Sequence, residues 1–269
     1  MQEKSKGRLH GKVAVIVGAG QLAGDTVGNG RAVAERFAQE GATLLLVDIQ
    51  EELAQATLEA VAGYGQPASV LRADITQEGD CRTIAVTCVE CYGRIDILHN
   101  NVGRSKGDRR TADMDAQMWD EIMAMNLKGM FMTCKHVLPQ MVHQGSGSII
   151  NVSSTASLAA RPTVTYKTSK GAVNAFTQHL AMENAAHGVR ANAILPGLID
   201  TPMAIERRAI ERGVSRDVVR AEREALVPMQ HMGTGWDVAN AAVFLASEEA
   251  RYVTGVLLPV DGGLLCKRG

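Results

Sequence analysis

Short apolar runs alternate with longer amphipathic stretches along almost the whole chain. The short runs fall at 13–17, 43–48, 69–74, 95–100, 148–153, 190–195 and 256–260. Between them, helical spacing of apolar positions covers 30–40, 51–61, 78–92, 119–144, 166–187 and 236–246. Leu44-Leu45-Leu46-Val47 is apolar without interruption, as expected of a strand covered by helices on both faces. Strand–helix–strand repetition requires crossovers, so the pattern predicts an α/β fold built on a doubly wound parallel sheet. No linker, low-complexity tract or repeat divides the chain, and residues 1–269 read as one domain.

Composition narrows the class without changing the fold. A hydrophobic share of 46% against 21% charged residues excludes a disordered chain. The net charge of −1 gives no reason to expect capture by nucleic acid or by an anionic membrane. No apolar run approaches the roughly 20 residues that span a bilayer, and the polar, basic start lacks the apolar core of a secretory signal. These features predict a soluble, cytoplasmic protein. Cys88 and Cys91 form a Cys-x-x-Cys pair with Cys81 upstream, but no further ligands follow at metal-site spacing, so reduced thiols and no metal are expected.

Two stretches carry candidate chemistry. The first apolar run leads into Gly18, Gly20 and, after a spacer, Gly28-Asn29-Gly30 at the start of a helix. Glycines at a strand-to-helix turn let backbone approach a pyrophosphate, and the helix start offers free N–H groups. The next strand ends on Asp48, where a carboxylate can accept from ribose hydroxyls. The second stretch pairs Ser154, closing an apolar run, with Tyr166 and Lys170 on one predicted helix face. A cation beside a phenol favours the phenolate, which suits proton transfer to or from an alcohol or carbonyl oxygen.

Taken in order, the glycine-rich turn, Asp74-Ile75, Asn100-Asn101-Val102-Gly103, Asn126, Ser154, Tyr166 with Lys170, Pro196-Gly197 and Asp261-Gly262-Gly263 resemble the short-chain dehydrogenase/reductase family. The resemblance runs from Lys12 to about Leu264 and implies a Rossmann-like domain with a seven-stranded parallel sheet. It further implies that Tyr166 is the general acid/base, that Ser154 holds the substrate oxygen, and that Lys170 tunes the phenol and bonds the nicotinamide ribose. Asn126 would order a water linking Lys170 to solvent. Gly18, Gly28, Asn29, Gly30, Asp48, Asp74, Ile75, Asn101, Val102 and Gly103 would hold the adenosine and pyrophosphate. Pro196, Gly197, Ile199 and Thr201 would line the nicotinamide. A homotetramer is the family's frequent assembly.

Some positions depart from the family pattern. Val17 stands where a threonine usually ties the glycine turn, and extra residues separate Gly18 from Gly28, so 21–27 is expected to bulge outward as a surface insertion. Val102 replaces alanine, and His99 is expected to be a core histidine with a satisfied partner. Ser153 competes with Ser154, which is preferred for its spacing to Tyr166. The substrate-covering segment 201–228 carries Arg207, Arg208, Arg212, Arg216, Arg220 and Arg223 interleaved with glutamates, read here as a solvated face laced with ion pairs four residues apart.

The expected function is hydride transfer between NAD(H) and a secondary alcohol or ketone, with NAD indicated by Asp48. Two other readings are an NADPH-linked ketoacyl or carbonyl reductase and a nucleotide-binding regulator without turnover.

Overall fold

The computed structural model describes residues 7–159 and 162–267. Seven strands form one sheet: β1 (Val13–Val17), β2 (Thr43–Asp48), β3 (Ala68–Arg72), β4 (Ile97–Asn100), β5 (Gly147–Val152), β6 (Val189–Pro196) and β9 (Leu257–Val260). Their order is β3-β2-β1-β4-β5-β6-β9, and every pairing is parallel. Chain order reverses between β1 and β4, which opens a crevice at the carboxyl ends of these strands, the usual ligand position in such sheets.

Alternation along the central strands divides the core in two. Ala14 and Ile16 of β1, with Leu44 and Leu46 of β2, face α1 (Asn29–Gln39) and α9 (Gly235–Ala246). Val13, Val15, Val17, Leu45 and Val47 face the opposite layer. That layer is α3 (Glu78–Tyr92), α5 (Gly129–Gln144) and α6 (Thr165–Asn184). Burial on both faces explains why β1 and β2 read as continuous apolar runs rather than alternating ones.

Several boundaries differ from expectation, each for a local reason. The third strand stops at Arg72 rather than 74, because Asp74 turns the chain by accepting from the Thr76 amide (2.9 Å) and hydroxyl (2.7 Å). The fourth begins at Ile97 rather than 95. Ahead of it, the Asp96 carboxylate accepts from Val13 N (2.9 Å) and pairs with Arg94, while Gln144 accepts from Ile95 N. The stretch expected as one helix over 119–144 is three pieces: α4 (Ala116–Met123), a π turn (Ala124–Lys128) and α5. A π turn inserts one extra residue per turn and often marks a functional position. Here it carries Asn126. A helix of 11 residues, α2 (Glu51–Val61), follows β2 as expected.

Over the open ends of β5 and β6 lies a cap that the apolar pattern left unassigned. It contains α7 (Pro202–Arg212) and α8 (Arg216–Glu224), held down by a small third core of Leu198, Ile205, Ala209, Val219, Val227 and Met232. A two-stranded sheet, β7 (Ile199–Asp200) beside β8 (Gly233–Thr234), fastens both ends of this cap. No helix among the described residues is long and apolar enough to cross a membrane.

Candidate active site

A cavity of about 560 Å³ opens at the β1/β4 crevice and continues beneath the cap. Its wall includes Gly28, Asn29, Gly30, Asp48, Asn101 and Gly103 on the β1 side, and Ser154, Tyr166, Lys170, Pro196, Gly197, Ile199 and Thr201 on the other. Gly18, Asp74, Ile75, Val102 and Asn126 are not among the residues that line it.

The three residues of the opening chemistry meet at one cavity from two elements, Ser154 just past the end of β5 and Tyr166 with Lys170 on α6. Lys170 is only 2% exposed, and its ammonium donates to Val152 O at 2.7 Å, fixing it against the end of β5. Burial pushes Lys170 down to about 8, which leaves it cationic at neutral pH. Its Nζ lies 5.9 Å from the centre of the Tyr166 ring. Gly103 sits close beside it, and a Cβ there would lie 2.9 Å from that nitrogen and push it aside. Ser153 spends its hydroxyl on Lys170 O (3.0 Å), whereas the Ser154 hydroxyl accepts from Ala156 N (3.1 Å) and donates to no group among the described residues.

Asn126 is fully buried and locked three ways: it accepts from Arg104 N (2.8 Å) and donates to Arg104 O (2.9 Å) and Ser169 Oγ (3.0 Å). The π turn thereby ties the loop after β4 to the helix that bears Tyr166 and Lys170.

Asp108 was not singled out by the sequence. Its carboxylate accepts from Thr165 N (2.9 Å) and Tyr166 N (3.0 Å), closing the first turn of α6 at the residue that carries the phenol. Burial acts to raise its pKa, but these amides and the nearby threonine hydroxyls prevail and hold it below the ordinary carboxylate value. Asp108 stands 57 and 58 residues before its partners in the chain, so no local pattern could have revealed the pairing.

On the cofactor side, Gly18 adopts φ +82°, and both its amide and that of Ala19 donate to Val47 O. With valine at position 17, the Asn101 side chain does the tying, donating to Gly18 O at 3.1 Å. Gly30 cannot be replaced without rebuilding the turn: a Cβ there would lie 1.9 Å from Gly18 O. Gly28 precedes α1 as its cap residue, and its amide donates to Gln21 Oε1 at 2.8 Å. The Asn29 side-chain oxygen is buried in this wall with no partner among the described residues. Asp48 accepts from Gly20 N (2.9 Å) and Gln50 N (3.0 Å), which aims its carboxylate into the crevice. Arg31, the nearest basic candidate, pairs instead with Glu35 at 2.8 Å. An orphaned polar atom, a glycine-lined helix start and a ribose-side carboxylate are the donor and acceptor set that a dinucleotide requires, so the residues present fit one.

The insertion at 21–27 is exposed over 22–25, as expected of a bulge, but it is also anchored to the cap. Asp25 takes Arg220 at 2.6 Å, and Arg220 also holds Asp200 at 2.9 Å. Gly24 packs so closely on Pro202 that a Cβ would approach it to 2.8 Å.

Two further expectations need correction. His99 is buried, but neither ring nitrogen has a hydrogen-bond partner among the described residues, and desolvation pushes it down to about 4. It acts as a neutral aromatic, edge-on to Phe37 at 6.3 Å. The cap arginines are not mainly paired four residues apart. Arg212–Glu222 and Arg216–Glu206 cross between α7 and α8, and Arg207, Arg208 and Arg223 line the cavity.

Gly28→Val tests the glycine turn. The protein itself leaves room there, since the nearest atoms to an added Cβ belong to Gln21 at 3.7 Å. The variant should therefore fold, losing about 1 kcal/mol or less from the cap, while NADH affinity measured by fluorescence titration drops at least roughly tenfold as the side chain fills the groove. Unchanged affinity would remove Gly28 from the cofactor wall.

Comparison with known proteins agrees with this geometry. A family model described as enoyl-(acyl carrier protein) reductase matches residues 23–265. The 2-(R)-hydroxypropyl-CoM dehydrogenase of Xanthobacter autotrophicus is 38% identical over 93% of this chain and 97% of its own. A 3-oxoacyl-(acyl-carrier-protein) reductase of Thermotoga maritima is 36% identical over 96% of this chain and 99% of its own. A crystal structure of a short-chain dehydrogenase/reductase from Burkholderia xenovorans superposes with a TM-score of 0.92 at 39% identity, covering 98% of this chain and all of that one. With a family model and relatives matched along nearly the full length, the chain belongs to the short-chain dehydrogenase/reductase family of oxidoreductases.

Proposed function

We propose that this protein is an NAD-dependent dehydrogenase that interconverts a secondary alcohol and its ketone. The observation that carries the reading is the convergence of Ser154, Tyr166 and the buried Lys170 on the same cavity as Asp48 and the Gly28–Gly30 turn. When bound, the nicotinamide supplies the redox chemistry. The chain's own residues do the rest. Tyr166 takes the hydroxyl proton in oxidation and returns it in reduction. Ser154 donates to the substrate oxygen as charge grows on it. Lys170, cationic and fixed by Val152 O, favours the phenolate and reaches the nicotinamide ribose. Asn126 holds the loop of Arg104 against α6 and orders water toward Lys170.

Asp74, Ile75, Val102 and Gly18 would hold the adenosine side, and Ile199 and Thr201, which line the cavity, would hold the nicotinamide. Asp48 supports NAD over NADP, and Arg31 is engaged by Glu35 rather than by that carboxylate. The names of the relatives, a hydroxy-compound dehydrogenase and an oxoacyl reductase, support an alcohol–ketone pair. A panel of alicyclic, aryl, sugar and hydroxyacid secondary alcohols, assayed with NAD and NADP side by side, tests the proposal. NAD-linked turnover of at least one class is expected, and none with either cofactor would refute it.

We further propose a cytoplasmic homotetramer. The half-exposed Phe131, packed edge-on to Phe176 at 6.0 Å, leaves an apolar face on α5 and α6 suited to a second copy. Light scattering should give about four times the chain mass, and a monomer at micromolar concentration would reject this assembly.

A further inference from the structure

The cap arginines divide into two sets. Arg212, Arg216 and Arg220 are drained by carboxylates: Glu222, Glu206 with Asp25, and Asp25 with Asp200. None of these three lines the cavity. Arg207, Arg208 and Arg223 do line it, on the cap side. Among the described lining residues the one carboxylate is Asp48, at the end of β2. The cap end of the cavity therefore presents three arginines and no lining carboxylate among the described residues.

Arg207 shows what that charge faces. Its Nη2 lies 3.5 Å from Ser105 Oγ, in the loop two residues beyond Gly103, and Gly103 sits against the Lys170 ammonium. The guanidinium thus reaches from α7 toward the wall that holds Lys170. Its Nε is buried with no hydrogen-bond partner among the described residues, its one ion pair being a long 3.6 Å contact with the half-exposed Glu211 four residues on. A buried guanidinium N–H left unsatisfied is costly, and a bidentate oxyanion is the ligand that would satisfy it.

We infer that Arg207, with Arg208 and Arg223, forms a subsite for a compact oxyanion on the substrate, so that the alcohol oxidised at Ser154 and Tyr166 carries a carboxylate, sulfonate or phosphate at its far end. This rests on the alcohol–ketone reading above and names the substrate class for the same site. One cavity would then hold the two ends of one molecule, the carbinol at Tyr166 and the anion under the cap.

Matched pairs test it: secondary hydroxy acids of three to six carbons, each against its methyl ester, plus a hydroxyalkane sulfonate. In the wild type, kcat/KM for the best acid should exceed that of its ester at least about tenfold, the scale of one charge-assisted contact. Arg207→Gln should collapse that ratio toward one, mainly through KM for the acid. Arg212→Gln, outside the cavity, should leave the ratio alone. Calorimetry of the same acids and esters with NADH-saturated protein gives a second readout, independent of turnover. If no compound is oxidised, the dehydrogenase reading fails, yet acid binding that disappears in Arg207→Gln still sustains the subsite. Two outcomes overturn it: no acid is preferred over its ester by rate or by binding, or Arg207→Gln weakens acid, ester and NADH alike, which would assign the arginine to the cofactor.

Discussion

Tyr166→Phe should lower turnover by roughly 10² or more while leaving the fold and NADH affinity nearly intact, within the range for loss of a general acid/base. The substitution removes the phenolic oxygen and keeps the ring. The Tyr166 backbone amide remains held by Asp108, and Lys170 remains held by Val152 O, so neither the helix start nor the ammonium has reason to move. With the phenol gone, the ring carries no transferable proton, while Lys170 stays held by Val152 O and Ser153 by Lys170 O. Stopped-flow turnover with a good panel alcohol checks the rate, and fluorescence titration checks the cofactor. Near-normal turnover would reject Tyr166 as the acid/base. A matched loss of NADH affinity would recast the phenol as a cofactor anchor.

Asp48→Ala should narrow the preference for NAD over NADP from both sides. The carboxylate is aimed by Gly20 N and Gln50 N, so it cannot swing away from a 2′-phosphate without breaking two hydrogen bonds. Like charges about 4 Å apart repel by about 4 kcal/mol at an effective dielectric of 20. At 1.4 kcal/mol per decade that corresponds to roughly several hundred-fold in the wild-type preference. Solvent screening at this half-buried side chain reduces it, so a change of at least about tenfold in the ratio is the expected result. Alanine would also free the Gly20 amide, which could then serve a phosphate oxygen. Catalytic efficiency with each cofactor, in both proteins, gives the ratio directly. A wild type that prefers NADP, or a ratio unmoved by the substitution, would show that Asp48 does not read the ribose.

What the chain made legible was whatever is local in sequence. Leu44 to Val47 announced a doubly covered strand, the four-residue step from Tyr166 to Lys170 announced one helix face, and Gly28-Asn29-Gly30 announced the start of α1. Strand ends were misjudged where side chains replace ladder bonds, as Asp74 and Asp96 do. The π turn at Ala124–Lys128 was invisible because it preserves helical spacing on either side. Contacts between distant loops escaped altogether. Asp108 under α6 and Asp25 beneath Arg220 each join residues far apart in the chain, and an acidic residue in a loop looks the same whether it caps a helix or faces water. The arginines of the cap show the limit most clearly. Their composition suggested a solvated face, and only the crossing of α7 over α8 separates those spent on carboxylates from those turned to the cavity.

The central claim is direct transfer from a substrate carbon with Tyr166 managing the proton, and one labelling measurement tests it most closely. The best secondary alcohol of the panel, deuterated at the carbinol carbon, is incubated with NAD and the purified protein, and both products are weighed by mass spectrometry. The account predicts one deuterium in each reduced cofactor, one ketone per cofactor reduced, and a slower rate for the deuterated alcohol whenever the chemical step limits turnover. Label appearing in water instead of the cofactor, or ketone formed without reduced cofactor, would contradict it.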